Sequence, residues 1–200
     1  HFGGLLIKKE LEFFGPLLDG PEGPYVAVMG GAKVADKIGV IKTLMDKVDT
    51  LIIGGGMAYT FLAAQGVPIG KSLLDAASVD FAKAMIKQAG LAGVELLLPV
   101  DHIVSHGMDD EAAHVTETIE PNYAAFDIGP ATMALYTKAI DKARTVVFNG
   151  PMGVFEKSRF SSGTRAVLDA MAEAHERGAT VVIGGGDSAA AAEEFGFEDE

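Results

Sequence analysis

Short apolar runs alternate with longer amphipathic stretches along this chain, and glycine-rich turns separate them. The runs Tyr25-Val26-Ala27-Val28-Met29, Thr50-Leu51-Ile52-Ile53, Glu95-Leu96-Leu97-Leu98, Ala125-Phe126-Asp127-Ile128, Thr145-Val146-Val147-Phe148 and Thr180-Val181-Val182-Ile183 are mostly aliphatic or β-branched. Such runs predict strands covered on both faces, as in a parallel sheet. Between them, helical periodicity predicts a helix from about Ala32, with Val34, Ile38, Ile41 and Met45 as its buried stripe. Further helices are predicted through Ala64, from Gly129-Pro130 to about Lys142, and over residues 162–176. Residues 4–14 read as an amphipathic helix ending before Gly15-Pro16, and 20–24 as a turn. The polar, acidic segment 101–120 predicts an exposed excursion. Six strands alternating with helices predict an α/β fold: a three-layer α/β/α sandwich on a six-stranded, parallel, doubly wound, Rossmann-like sheet.

In such sheets ligands sit beyond the carboxyl ends of the strands. The turns Gly30-Gly31, Gly54-Gly55-Gly56 and Gly184-Gly185-Gly186 all fall at those ends. Their recurrence at one edge points to a long, phosphate-bearing ligand more strongly than any single turn does. After Ile183, a helix starting at Asp187 or Ser188 would offer free N–H groups and a positive dipole end to an anion. A tight turn with Asp187 as a plain N-cap accounts for the same residues.

Composition narrows the partners. The net charge of −12 disfavours a nucleic-acid binder, so an anionic ligand must be met by backbone N–H groups and a few placed lysines. There is no cysteine, hence no disulfide and no thiolate metal site, which fits a reducing compartment and a cytoplasmic protein. No apolar run approaches the roughly 20 residues that span a bilayer, so no membrane partner is expected.

Lys33 and Lys37 lie four apart after Gly30-Gly31, in the first turns of a predicted helix. Two cations at the unfavourable end of the dipole make sense if an anion lies between them; two solvated lysines beside Asp36 are the plainer account. Glu156, after Asn149-Gly150-Pro151, is placed to accept from two ribose hydroxyls, or is a surface glutamate. Asp187 beside a phosphate seat would repel it unless Mg²⁺ bridges the two. The stretch 66–72, ending Gly70-Lys71-Ser72, resembles a P-loop but has one residue too few between its glycines and follows a helix. Gly184 to Ala189 fits the G-x-G-x-x-A dinucleotide variant, which leaves an NAD-dependent oxidoreductase domain as the alternative, although no later strand follows to carry the acidic partner. His102 and His106 with Asp101 and Asp109 could form a metal face, but lack the glutamate of a zincin motif.

Six stretches, GGAKVADKI at 30–38, LIIGGGMAYTFL at 51–62, LPVDHIV at 98–104, FDIGP at 126–130, FNGPMGVFE at 148–156 and VIGGGDSAAA at 182–191, resemble, in order, the C-terminal nucleotide-binding half of the phosphoglycerate kinases. The resemblance implies reversible, Mg²⁺-dependent phosphoryl transfer between 1,3-bisphosphoglycerate and ADP, giving 3-phosphoglycerate and ATP. It implies that Lys33 and Lys37 contact nucleotide phosphates, with Lys37 able to follow the transferring group. Gly30, Gly31, Gly54 and Gly55 then face adenine and its neighbourhood, Phe126 lies in the adenine pocket with Ala125 in place of the family's glycine, Asn149 and Pro151 line the cleft, and Glu156 holds the ribose. Gly185, Gly186, Asp187 and Ser188 would cover the phosphates, Gly185 and Gly186 acting with Lys37 in catalysis and Asp187 on Mg²⁺. Residues 1–15 resemble the family's interdomain helix, leaving 16–200 as the nucleotide-binding domain. The basic N-terminal domain that binds phosphoglycerate is absent, as is the family's C-terminal stretch. The chain therefore reads as a fragment expected to turn over poorly alone, from a protein expected to be a monomer.

Overall fold

A computed structural model of the chain describes residues 22–184 and 190–192. The frame is a parallel sheet of five strands among the described residues, in the spatial order β3-β2-β1-β7-β8. Its strands are β1 (Tyr25–Met29), β2 (Thr50–Ile53), β3 (Glu95–Leu97), β7 (Thr145–Asn149) and β8 (Thr180–Ile183). β1 is central: Val26 to Met29 pair with Thr50 to Ile53, and Tyr25 to Met29 with Thr145 to Asn149.

Alternate side chains feed two cores. Tyr25, Ala27, Met29, Leu51, Ile53, Val147 and Val182 point into one. That face is covered by α1 (Ile38–Met45), α2 (Met57–Ala64) and α3 (Val79–Ala92). Val26, Val28, Ile52, Val146, Phe148, Val181 and Ile183 point into the other, under α4 (Pro130–Asp141) and α5 (Ser162–Glu176). Ala191 and Ala192, in the helical residues 190–192, join the second core. Burial on both faces is why these runs carry so few polar residues. Each fully buried Leu, Ile, Met or Phe side chain stabilises the fold by about 1.5–3 kcal/mol over its exposed state. The stripe expected from Val34, Ile38, Ile41 and Met45 does face the core, with Ile38 only partly buried.

The expected sixth parallel strand is a correction. β6 (Ala124–Ile128) belongs to a separate antiparallel sheet, β5-β4-β6, with β4 (His102–Ser105) and β5 (His114–Thr116). Within the acidic excursion, then, lie two strands. β4 alternates poorly, and its register with β6 shifts between Ile103 and Val104, so its pairing leaves no clean period-2 pattern in the sequence. β6 has the composition of a parallel strand because Ala124, Ala125 and Ile128 are buried too, but in different surroundings. Its one charged residue, Asp127, is 1% exposed.

No described helix is long and apolar enough to cross a membrane. The predicted helix at 4–14 lies outside the described residues.

Candidate functional site

From β1 the chain proceeds to β2 on one side, whereas from β7 it proceeds to β8 on the other. The crevice at the carboxyl ends of β1 and β7 is therefore the topological switch point, where open α/β sheets bind ligands. Three turns meet there and bond to one another. Gly30 N–H donates to the Asn149 carbonyl at 2.9 Å, Gly31 N–H to Pro151 O at 3.2 Å, and Gly55 N–H to Met152 O at 3.0 Å. Met57 N–H returns to Gly31 O at 2.9 Å.

This contact explains much of the glycine recurrence. A Cβ on Gly30 would lie 2.2 Å from Pro151 O, and one on Gly150 would lie 2.2 Å from Gly30 O. Gly150 also has φ of +111°, a left-handed conformation disfavoured for other residues. The glycines allow backbone to pack on backbone, Gly55 included, where a Cβ would lie 2.6 Å from Gly31 N, whereas one on Gly31 would meet nothing nearer than Lys37 Cε at 3.7 Å.

Beside the knot lies a cleft of about 550 Å³. Gly31, Gly55, Ala125, Phe126, Pro151, Met152, Phe155 and Glu156 are among the residues that line it. A volume in this range suits a small molecule, and the lining is mostly apolar with a few polar groups. The aromatic surface at Phe126 is braced by Phe160, with ring centroids 5.1 Å apart. Glu156 is exposed at the rim.

The lysines separate. Lys33 is exposed and extended, at φ −124° and ψ 133°, and precedes a 3₁₀ turn over Val34–Lys37. The two therefore do not share an α-helical face, which corrects the spacing argument: the α-helix begins only at Ile38. Lys37 is half-buried, and its Nζ donates to Oδ1 of Asn149 at the end of β7. Asn149 is fully buried, and its Nδ2 has no hydrogen-bond partner among the described residues. A buried donor left without a partner is costly to the fold. The 3₁₀ turn is held from outside by Asp75, whose Oδ2 accepts from Ala35 N–H at 3.0 Å.

Two buried carboxylates support the walls by accepting from the first turns of helices. Asp127 Oδ2 takes Gly163 N–H of α5 at 2.9 Å, and its Oδ1 takes Ile128 N–H at 2.9 Å. Asp101 takes Ala131 and Thr132 N–H of α4, both at 2.9 Å, and the Thr132 hydroxyl at 2.6 Å. Helix N-termini favour such negative charge. Burial pushes the Asp127 carboxyl up to about 7, with its two backbone N–H partners pulling the other way. For Asp101 burial also raises the pKa, but the Thr132 hydroxyl and two backbone N–H groups outweigh it and hold the carboxyl below its ordinary value. His102, 3% exposed, is pushed down to about 4 by burial, against the pull of Asp101. It shares a hydrogen bond of 3.1 Å with the Tyr59 hydroxyl, and Tyr59 lines the cleft.

The expected residues thus fall into groups. Gly31, Gly55, Ala125, Phe126, Pro151 and Glu156 line the cleft. Gly30, Gly54 and Asn149 are buried and do not line it, and Lys37, also outside the lining, is held on Asn149 at the end of β7. Gly185, Gly186, Asp187 and Ser188 lie outside the described residues. His102 and His106 are not a metal face: His102 is buried on Tyr59, while His106 stacks on Tyr123 with centroids 4.1 Å apart. No group of His, Cys, Asp or Glu among the described residues is arranged to hold a metal.

Sequence reasoning missed Lys71, Leu73, His106 and Met108, which also line the cleft. Lys71 sits in the false P-loop. That loop docks on β6 through Lys71 N–H to Tyr123 O at 2.8 Å and Ala125 N–H to Ser72 Oγ at 2.9 Å. No local pattern signals a wall built from a loop and a strand so far apart in sequence.

Comparison with known proteins fits this geometry. The family model for phosphoglycerate kinase matches residues 1–200. The chain is 56% identical over 200 residues to phosphoglycerate kinase of Clostridium novyi (strain NT), covering 98% of this chain and 50% of that protein. It is 56% identical over 199 residues to that of Clostridium perfringens (strain SM101 / Type A), covering 98% and 49%. The solved structure of phosphoglycerate kinase from Coxiella burnetii superposes with a TM-score of 0.89 at 44% identity, covering 95% of this chain and 49% of that one. That from Pyrococcus horikoshii OT3 gives 0.71 at 26% identity, covering 94% and 53%. The chain spans about half the length of the curated relatives it matches. The dinucleotide alternative finds no support among these relatives.

Proposed function

Because the chain belongs to the phosphoglycerate kinase family, we propose that its cleft binds ADP or ATP and supplies the nucleotide half of a phosphoglycerate kinase active site. The observation that carries this reading is the run of groups along one crevice. Phe126 and Ala125 offer an apolar slot for a base, Glu156 a carboxylate for ribose hydroxyls, and Lys37 a cation for phosphate. The volume suits a ligand of this size.

The reaction transfers the acyl phosphate of 1,3-bisphosphoglycerate to ADP, forming ATP and leaving 3-phosphoglycerate as a carboxylate. A carboxylate is ionised at neutral pH, so the reverse reaction needs no general base. Catalysis then consists of alignment and of neutralising charge spread over the phosphoryl oxygens. Lys37 stabilises that charge, and Lys33 adds a second cation at the phosphate end. Gly185, Gly186 and Ser188 would offer backbone N–H groups to the phosphates. Asp187 and the phosphates would hold Mg²⁺, which neutralises phosphate charge when bound. Residues 1–15 would link the two domains, and 16–200 would be the nucleotide domain on a Rossmann-like frame. The phosphoglycerate side and its cations come from an N-terminal domain, and the two-domain protein is a monomer in the cytoplasm.

The ribose assignment gives a direct test of the ligand's orientation. Glu156→Gln weakens ADP binding about tenfold, the scale of a charged hydrogen bond, and leaves 2′,3′-dideoxy-ADP unaffected. Equal losses for both nucleotides would remove Glu156 from the ribose.

A further inference from the structure

We propose that Asn149 is the positioning residue of Lys37, holding its ammonium at the crevice without cancelling its charge. The inference rests on the reading of Lys37 as a phosphate-binding group. Asn149 anchors both ends of the segment that carries the lysine. Its carbonyl oxygen accepts Gly30 N–H at 2.9 Å, and its side-chain Oδ1 accepts from Lys37 Nζ. Its own position is fixed, since it is fully buried at the end of β7 and pairs in register with Met29 of β1. The bond spans 112 positions of sequence, so it is a product of the fold and not of local helix geometry.

A lysine side chain has large rotamer freedom, and ordering it at the moment of reaction is costly. A bond already made to a rigid strand end lowers that cost. The type of acceptor matters as much as its place. A carboxylate here would form a half-buried ion pair, and an incoming phosphate would have to break it. An apolar residue would release the ammonium to solvent. A neutral amide oxygen orients the cation and leaves its full charge for a stronger, anionic acceptor. Among the described residues, Lys37 pairs with no carboxylate.

A double-mutant cycle in the two-domain enzyme tests this, with kcat at saturating MgADP, MgADP affinity by calorimetry, and thermal melting to verify folding. Asn149→Leu lowers kcat about tenfold and Lys37→Ala about a hundredfold. The double variant matches Lys37→Ala within about twofold, because Asn149 acts through the lysine. Losses that multiply would assign Asn149 an independent or merely structural role and overturn the inference. Asn149→Asp keeps the shape and the acceptor but adds a charge. It lowers kcat and weakens MgADP about tenfold each, and wild-type values for it would also overturn the inference, even where the leucine variant does not fold. A wild type that fails to bind MgADP overturns the functional reading and this inference together. A wild type that binds, with multiplying losses, overturns this inference alone.

Discussion

Gly30 and Gly150 approach so closely that neither has room for a side chain: a Cβ on Gly150 would fall 2.2 Å from Gly30 O, and one on Gly30 would fall 2.5 Å from Gly150 O. The contact joins the turn after β1 to the turn after β7 and so closes the back of the crevice. Gly150→Ala combines the overlap with a side chain at φ +111°. It should destabilise the fold by about 3 kcal/mol or more, at the severe end for single substitutions. Gly39, in the first turn of α1, meets nothing within 4 Å. Gly39→Ala should instead stabilise by up to about 1 kcal/mol through helix propensity. Urea midpoints of the two variants check both signs.

Lys37 and the nucleotide give a kinetic prediction. If the lysine follows the transferring phosphoryl group, Lys37→Ala in the two-domain enzyme lowers kcat far more than it weakens MgADP binding. Steady-state kinetics beside calorimetry separate the two. Equal losses would confine Lys37 to ground-state binding.

Asp127 and His102 make stability depend on pH in opposite senses. Burial raises the Asp127 carboxyl to about 7. Its contribution is complete below the unfolded carboxyl pKa of about 3.9 and is lost as pH rises through the folded value. Burial lowers His102 to about 4. Its contribution is complete above the unfolded imidazole pKa of about 6.5 and is lost as pH falls toward the folded value. Between about pH 4 and 6.5 the two largely cancel. His102→Gln should therefore leave a protein whose stability declines from pH 4 to 7, and Asp127→Asn one whose stability climbs from pH 4 to 6.5. Urea unfolding at stepped pH reads both slopes, and slopes unchanged from wild type would contradict the two assignments.

The parallel sheet was legible because burial on both faces writes itself into the sequence: Val26-Ala27-Val28-Met29 and Thr145 to Phe148 have little room for polar side chains. The crevice edge was legible through the glycines, although structure assigns Gly30 and Gly150 to packing as much as to ligand access. The antiparallel sheet was hidden. Neither the buried His102 nor the acid-flanked β5 has a local signature, and β6 looks like any covered strand. The charge at Asp127 was the available signal, since a carboxylate in an apolar run usually accepts from something, here Gly163 N–H. Lys71 and His106 were missed because the cleft wall forms only when the 66–72 loop docks on β6.

A magnesium nucleotide is the ligand we propose for this crevice. Isothermal titration of the chain with MgADP tests it most directly. Saturable heat at one site per chain is expected, weakened by Lys37→Ala and Glu156→Gln, with NADH failing to compete. No heat at millimolar MgADP from folded protein, or displacement of ADP by NADH, would contradict it.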